Sequence, residues 1–159
     1  MGTLHGYTPT NWAGGAFPGL QGTAASNTDT ATFTSAYTGT QPGINMGTNS
    51  LNLGAIVTSS TRSTVTSIGN SSANPGVLRL HGATVSSIAN VILHNEGLGT
   101  LTLQVSQAGS MGLVLGSTID SKVIVGNSGN IVIQPIISGL SGSTPFTVQG
   151  SGSGRVEIT

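Results

Sequence analysis

The sequence predicts an all-β protein that folds as a parallel β-helix, or β-solenoid, with coils of irregular length and an N-terminal cap. Short apolar segments with Gly or Asn at most of their ends recur along the chain, and no stretch has the period of an amphipathic helix. The turns are short runs of Gly, Ser and Asn, and the hairpin dipeptides Asn-Gly and Asp-Gly are absent. This pattern favours stacked parallel coils over a β-sandwich, which stays the alternative.

The chain divides into an N-terminal segment, residues 1–28, and a solenoid, residues 29–159. Residues 1–28 have weak periodicity and no strand pattern, yet they contain Trp12, the only tryptophan, and Phe17. Large apolar side chains suit the open apolar end of a solenoid's first coil. We therefore interpret residues 1–28 as a cap, and we expect this cap to contact a neighbouring subunit.

The solenoid begins with alternating segments that predict its first strands. Residues 30–34 alternate apolar and polar side chains, and residues 50–58 do so on either side of Gly54. Because Gly54 breaks the alternation, we interpret it as a corner between two strands of one coil. A further strand is predicted at residues 64–68.

The region from Gly76 to Ser138 holds the densest array of predicted strands, and two more follow at residues 144–150 and 155–159. Within the array, apolar residues occupy every second position, which predicts one strand face directed to the core. The predicted core residues are Leu78, Leu80, Leu93, Leu101, Leu103, Leu113, Leu115, Val123, Val125, Ile131 and Ile133.

Val114, Ile124 and Val132 are each the middle residue of an apolar triplet. A strand that is buried on both faces reads as a continuous apolar run. We therefore expect these three residues to face outward and to form one apolar stripe. An apolar stripe of this kind needs cover from a neighbouring chain or a return segment.

Composition excludes several kinds of partner. Charged residues make up 5% of the chain and the net charge is zero, so the surface is of the kind that associates readily. The few cations form no basic patch for nucleic acid. They are Arg62, Arg79, Lys122 and Arg155. The absence of cysteine excludes a disulfide framework and a thiolate metal site, and no apolar run is long enough to span a membrane as a helix.

No catalytic, cofactor or metal site is predicted. His81 and His94 are expected to stack on one outer face of consecutive coils, but no third ligand is evident. Asp120 and Lys122 are two residues apart and would pair on one face. The four acids are too far apart in sequence for a calcium site or an acid–base pair. They are Asp29, Glu96, Asp120 and Glu157.

Asparagines at strand ends are predicted to be structural. Asn tolerates left-handed backbone and can stack into amide ladders along a solenoid. These positions are Asn90, Asn95, Asn127 and Asn130.

Several segments share one further pattern. Asn-Trp at residues 11–12 precedes a Gly and Pro turn, residues 29–33, 50–54 and 76–80 read as repeat strands, and residues 136–139 lead to a glycine-rich turn and a final strand. This pattern resembles the β-strand repeats of autotransporter passengers and related secreted bacterial surface proteins, over nearly the whole chain. The resemblance implies a right-handed parallel β-helix displayed outside the cell, with no catalytic residues to transfer. Such passengers are usually longer, so the chain is expected to be a fragment of one or a small free subunit.

The expected function is therefore a non-enzymatic structural subunit of an extracellular filament, sheath or surface layer. The expected partner is a second copy in a head-to-tail polymer, with residues 1–28 of one chain on the terminal coils of the next. The alternative is a glycan-binding or adhesive module at the cell surface, which needs exposed aromatics on one face, whereas Trp12, Tyr7 and Tyr37 all lie near the N-terminus. The predicted assembly interface comprises Trp12, Phe17, Val114, Ile124, Val132, Val156 and Ile158.

Overall fold

The computed structural model describes residues 4–5, 12, 15–22, 26–35, 43–45, 50–69, 76–104, 112–115, 120–135, 137–139 and 146–159. The regular elements of these residues are all β-strands, which confirms the prediction of an all-β chain. The strands are β1 (Leu4–His5), β2 (Leu20–Gln21), β3 (Thr30–Phe33), β4 (Gly43–Asn45), β5 (Leu51–Leu53), β6 (Ala55–Thr58), β7 (Thr66–Gly69), β8 (Val77–Leu80), β9 (Ala83–Val85), β10 (Ile88–Asn95), β11 (Leu101–Leu103), β12 (Gly112–Leu115), β13 (Ser121–Val125), β14 (Ile131–Ile133), β15 (Ile137–Gly139), β16 (Phe146–Gly150) and β17 (Val156–Ile158).

The strands form three mostly parallel sheets. Sheet A has the order β1-β4-β7-β11-β14-β17, sheet B the order β15-β12-β8-β5-β2, and sheet C the order β16-β13-β10-β6-β3 with β9 beside β10. The chain visits A, B and C repeatedly in that order, and we call any one passage through all three sheets a coil, whichever sheet it starts from. Only β2–β5 and β9–β10 are antiparallel among the described pairs. The β-sandwich alternative is wrong, because a sandwich packs two antiparallel sheets.

One apolar core runs through the coils, and it contains every residue of the predicted core set. Each of those side chains is at most 2% exposed, and all belong to a single cluster of packed apolar residues. The reason is register, since parallel partners place their side chains on the same face. Leu113, for example, is the partner of Leu78 on one side and of Ile137 on the other. Each fully buried Leu contributes about 1.5–3 kcal/mol.

Glycines allow the chain to turn corners between sheets at close range. Gly54 lies between β5 and β6, as predicted, and a Cβ there would be 2.7 Å from the Cα atom of Thr28. At the corner between sheets C and A, a Cβ on Gly129 would be 2.6 Å from the carbonyl oxygen of Gly97 in the preceding coil. These two corners stack backbone on backbone, which only glycine permits.

A β-hairpin of β9 and β10 interrupts the parallel pattern, although the sequence predicted none. Ser86 and Ser87 join the two strands with φ angles of 49° and 66°, the left-handed backbone that a two-residue hairpin turn requires. Asn90 also has a positive φ, 61°, at a register shift in the hairpin. The hairpin helps to form a second small apolar cluster, in which Ala83 packs with Ala55 and Val57.

The N-terminal segment, residues 1–28, contributes to the sheets. Its described residues include two short strands, β1 paired with β4 in sheet A and β2 paired with β5 in sheet B. The sequence predicted no strand in this segment, because a strand of two residues is too short to show alternation.

Candidate functional site: the exposed last coil

The last coil, formed by β15, β16 and β17, exposes side chains that continue the rows of the core. Val148 in β16 is the partner of Val123, and Ile158 in β17 is the partner of Ile133. Val123 and Ile133 are fully buried, whereas Val148 is 52% exposed and Ile158 is 58% exposed. Val156 is half-buried and packs against the core. The last coil therefore presents an apolar surface that has the chemistry of the protein interior.

In the first coil, the core-facing side chains of β3 are covered. Ala31 and Phe33 in β3 are 2% and 7% exposed, and they face the same core as Val148 does at the opposite edge of sheet C. The indole of Trp12 packs against this core, and its ring centroid lies 5.6 Å from that of Phe33. Trp12 thus packs over Phe33 of its own chain, at the edge of sheet C.

Leu20 is the other exposed apolar residue near the first coil, at 53%. It is the antiparallel partner of Asn52, which alternates with the core-facing Leu51 and Leu53, so Leu20 lies on the outer face of sheet B. It therefore does not continue a row of the core.

Opposite charges flank Val156 on the last coil. Arg155 Nε lies 3.2 Å from Glu157 Oε1, and the two side chains are 75% and 43% exposed. The backbone N–H of Arg155 donates to Asn130 Oδ1 at 3.0 Å, which ties the start of β17 to the preceding coil. An exposed ion pair of this kind contributes about 0–1 kcal/mol to folding, so it has little structural value of its own.

The structure distributes the predicted interface residues over both ends and all three sheets. Trp12 packs on Phe33, and Phe17 is half-buried in the described part of the N-terminal segment. Val156 and Ile158 lie together on β17. That any of these residues contacts another subunit stays a prediction.

The expected apolar stripe of Val114, Ile124 and Val132 is not formed. Each of the three faces outward, but Val114 belongs to sheet B, Ile124 to sheet C and Val132 to sheet A. Consecutive strands belong to different sheets, so outward-facing side chains can form a stripe only across the stacked strands of one sheet and not along the chain. Ile124 is buried at 6% exposure, whereas the other two are half-buried.

The two histidines do not stack on one face. His81 follows β8 of sheet B, and its Nε2 lies 3.3 Å from Asn52 Oδ1. His94 lies in β10 of sheet C, and its Nε2 is 3.4 Å from Glu96 Oε1. The expectation failed because the residues between them contain a sheet change and a hairpin.

His94 is a buried imidazole. Its side chain is 5% exposed, and its Nδ1 has no hydrogen-bond partner among the described residues. Burial lowers the pKa of His94, and the nearby Glu96 carboxylate opposes part of that effect. The lowered pKa favours the neutral form at pH 7.

The other candidate polar groups serve packing between strands. Asp120 accepts a hydrogen bond from Thr147 Oγ1 at 2.7 Å, and Lys122 Nζ donates to the Ala89 carbonyl at 2.9 Å. Each of the two residues therefore contacts a neighbouring strand, and the expected pair of Asp120 with Lys122 is replaced by these contacts. The described part of the chain brings no three His, Cys, Asp or Glu residues together. Across those same residues there is no helix with the length and hydropathy to cross a membrane.

Asn95 joins three coils through one fully buried amide. Its Oδ1 accepts from Thr58 Oγ1 and from the N–H of Gly97 at 3.1 Å. Its Nδ2 donates to the carbonyls of Gly99 at 2.9 Å and Asn130 at 2.8 Å. The sequence predicted a structural asparagine here, but the expected amide ladder is replaced by a bridge to the Thr58 hydroxyl and to three backbone groups.

Sequence reasoning missed Val148 and the charges of Arg155 and Glu157 as parts of the site. Val148 alternates with its neighbours like any buried strand residue, so no local signal marks it. Only the stacking order of the coils places it at an exposed edge.

Comparison with family models, with curated proteins and with solved structures finds no match to this chain. The resemblance to autotransporter passengers therefore stays a prediction. The function has to follow from the geometry of the chain itself.

Proposed function

We propose that this chain is a non-catalytic structural subunit that assembles with copies of itself into an extracellular filament, sheath or surface layer. Its three sheets are the faces of a right-handed parallel β-solenoid in which each coil templates the next. Subunits join at the last coil, and no cofactor takes part.

The observation that carries this proposal is the exposure of Val148 and Ile158 at the end of core rows. Full burial of such a side chain is worth about 1.5–3 kcal/mol, and each of these two is more than half exposed. An edge strand also offers backbone N–H and C=O groups to a partner strand. With a net charge of zero, long-range repulsion between copies is small.

Two arrangements would bury this surface. In the head-to-tail arrangement expected from the sequence, residues 1–28 of one copy cover the last coil of the next, and the repeat does not close, which gives a filament. In the other arrangement, two last coils face each other across a two-fold axis, and sheaths or layers grow from such pairs. Both depend on the same apolar surface.

The test compares Val148→Lys with the matched control Gln149→Lys on the same strand. Both positions are exposed in the single chain, but Val148 continues a core row and Gln149 is on the outer face beside Ile124. Sedimentation over a range of concentrations and negative-stain microscopy should show association of the wild type and of Gln149→Lys, but not of Val148→Lys. Thermal unfolding verifies that both variants are folded.

A wild-type chain that stays monomeric at the highest concentration reached would contradict the proposed function. Equal association of Val148→Lys and Gln149→Lys would also contradict it, because the joining surface would then lie elsewhere.

A further inference from the structure

We infer that two copies of this chain join through β17, with the two strands antiparallel and Val156 on the two-fold axis. The inference rests on the proposed function, in which the last coil is the joining surface, and it identifies the partner at that surface as the same surface of a second copy.

The difference between the two ends favours this partner. Phe33 and Ala31 at the first coil are buried, and Trp12 packs over them. Val148 and Ile158 at the last coil are exposed. A head-to-tail contact would set these exposed side chains against Trp12 and Phe33, which already pack on each other. A contact between two last coils instead buries the exposed rows of both copies.

The sequence of β17 complements itself when the strand is paired antiparallel. β17 is the last strand of sheet A, with β14 on one side. Pairing centred on Val156 places Arg155 of each copy opposite Glu157 of the other, at the separation of about 4.5–5.5 Å between Cβ atoms that directly opposed residues have. The four charges then alternate in sign across the interface. In a head-to-tail contact, Arg155 has no Glu157 of the neighbour opposite it.

A two-fold contact of this kind is isologous, so it closes after two copies. The wild type should therefore form a dimer that saturates with concentration, with Trp12 of each copy directed away from the contact. Larger assemblies would be built from these dimers through other surfaces.

The test uses two charge variants, Arg155→Glu and Glu157→Arg, alone and mixed. Each variant alone sets like charges opposite each other at both charged positions of the pair. The Arg155→Glu chain and the Glu157→Arg chain, however, are complementary when they pair with one another. Light scattering after size exclusion should show dimers that dissociate about tenfold more easily for each variant alone. The equimolar mixture should recover the wild-type dissociation constant.

Lys122→Glu is the control for net charge, because it changes the charge by the same amount as Arg155→Glu but lies in sheet C. It should dimerise like the wild type. Only an antiparallel pair of identical strands predicts rescue on mixing, since a head-to-tail contact never brings residue 155 of one copy opposite residue 157 of another.

Association of the wild type without rescue on mixing, or open-ended growth past the dimer through this surface, would overturn the two-fold arrangement and leave the proposed function standing. A monomeric wild type would instead contradict the proposed function. Thermal unfolding of each variant separates loss of pairing from loss of folding.

Discussion

The change Asn95→Asp tests whether one buried amide holds successive coils together. The substitution keeps the size and shape of the side chain but replaces the Nδ2 amide group with an oxygen. In the wild type, Nδ2 donates to the carbonyl oxygens of Gly99 and Asn130. The variant removes the donor from both carbonyls and brings an acceptor toward them. Asn95 is fully buried, so water does not replace the lost donor.

The expected loss follows from those two carbonyl groups. In the variant the Asn130 carbonyl keeps its hydrogen bond from the backbone N–H of Leu101 at 2.9 Å, whereas the Gly99 carbonyl loses the donor that it has in the wild type. A buried polar group left without its partner costs about 1–3 kcal/mol, so the free energy of unfolding should fall by roughly 1–3 kcal/mol. Asn130→Asp is the matched control in the next coil, because the hydrogen bond there uses the oxygen Oδ1, which accepts from the N–H of Arg155 and is kept in the variant. The control should lose less than about 1 kcal/mol.

Urea unfolding followed by far-ultraviolet circular dichroism measures both losses. The loss for Asn95→Asp should also shrink at acidic pH. Burial raises the pKa of the introduced carboxyl above its value in the unfolded chain, so the folded state binds the extra proton and gains stability as the pH falls. Equal losses for Asn95→Asp and Asn130→Asp at pH 7 would refute the bridging role.

Three further predictions concern the core, the buried histidine and the glycine corner. Leu103→Ala should cost about 2–5 kcal/mol, because Leu103 is fully buried. Thr102→Ala on the outer face should cost less than about 1 kcal/mol. Equal losses in urea unfolding would contradict the assignment of Leu103 to the core face and of Thr102 to the outer face. Because burial lowers the pKa of His94, the unfolded chain takes up a proton first as the pH falls below about 6.5, so wild-type stability should drop in that range. His94→Gln should lose this part of the pH dependence in thermal unfolding, and an unchanged profile would show that His94 does not cause it. Gly129→Ala should cost about 1–3 kcal/mol, because its Cβ would clash with the preceding coil. Gly112→Ala is the control, since its Cβ would lie 3.6 Å from a side-chain atom, and its stability should stay within about 1 kcal/mol of the wild type. Similar thermal shifts for the two variants would contradict the close corner.

The core was predictable from the sequence because strand facing depends on local alternation alone. Leu78 and Leu80 face the core whichever sheet they join, since every second residue of a strand has the same direction. Gly54 was also predictable as a corner, because a glycine that interrupts an alternating run is typical of a sharp bend between two strands. The same logic placed Val156 and Ile158 on one face of the final strand.

The relations between strands were not predictable in the same way. The prediction of a stripe of Val114, Ile124 and Val132 was wrong, because alternation shows which side chains face the core but not which of the three sheets a strand joins. The hairpin was missed because Ser86 and Ser87 rarely adopt left-handed backbone, and here strand pairing overrides that local preference. Predicting either feature requires the register between coils.

The stability of the last coil and the proposed assembly depend on the same missing neighbour. An inner strand such as β14 pairs on both edges, with β11 and β17, whereas β17 has a described partner on one edge only. In stacked repeats the stability of each coil is approximately its own contribution plus one contribution from each neighbouring interface, so a coil with one neighbour opens at lower free-energy cost than a coil with two. A partner that covers Ile158 and Val148 supplies the missing interface. In the proposed assembly such a partner would stabilise the folded last coil by mass action, so the concentration that drives pairing would also suppress local opening.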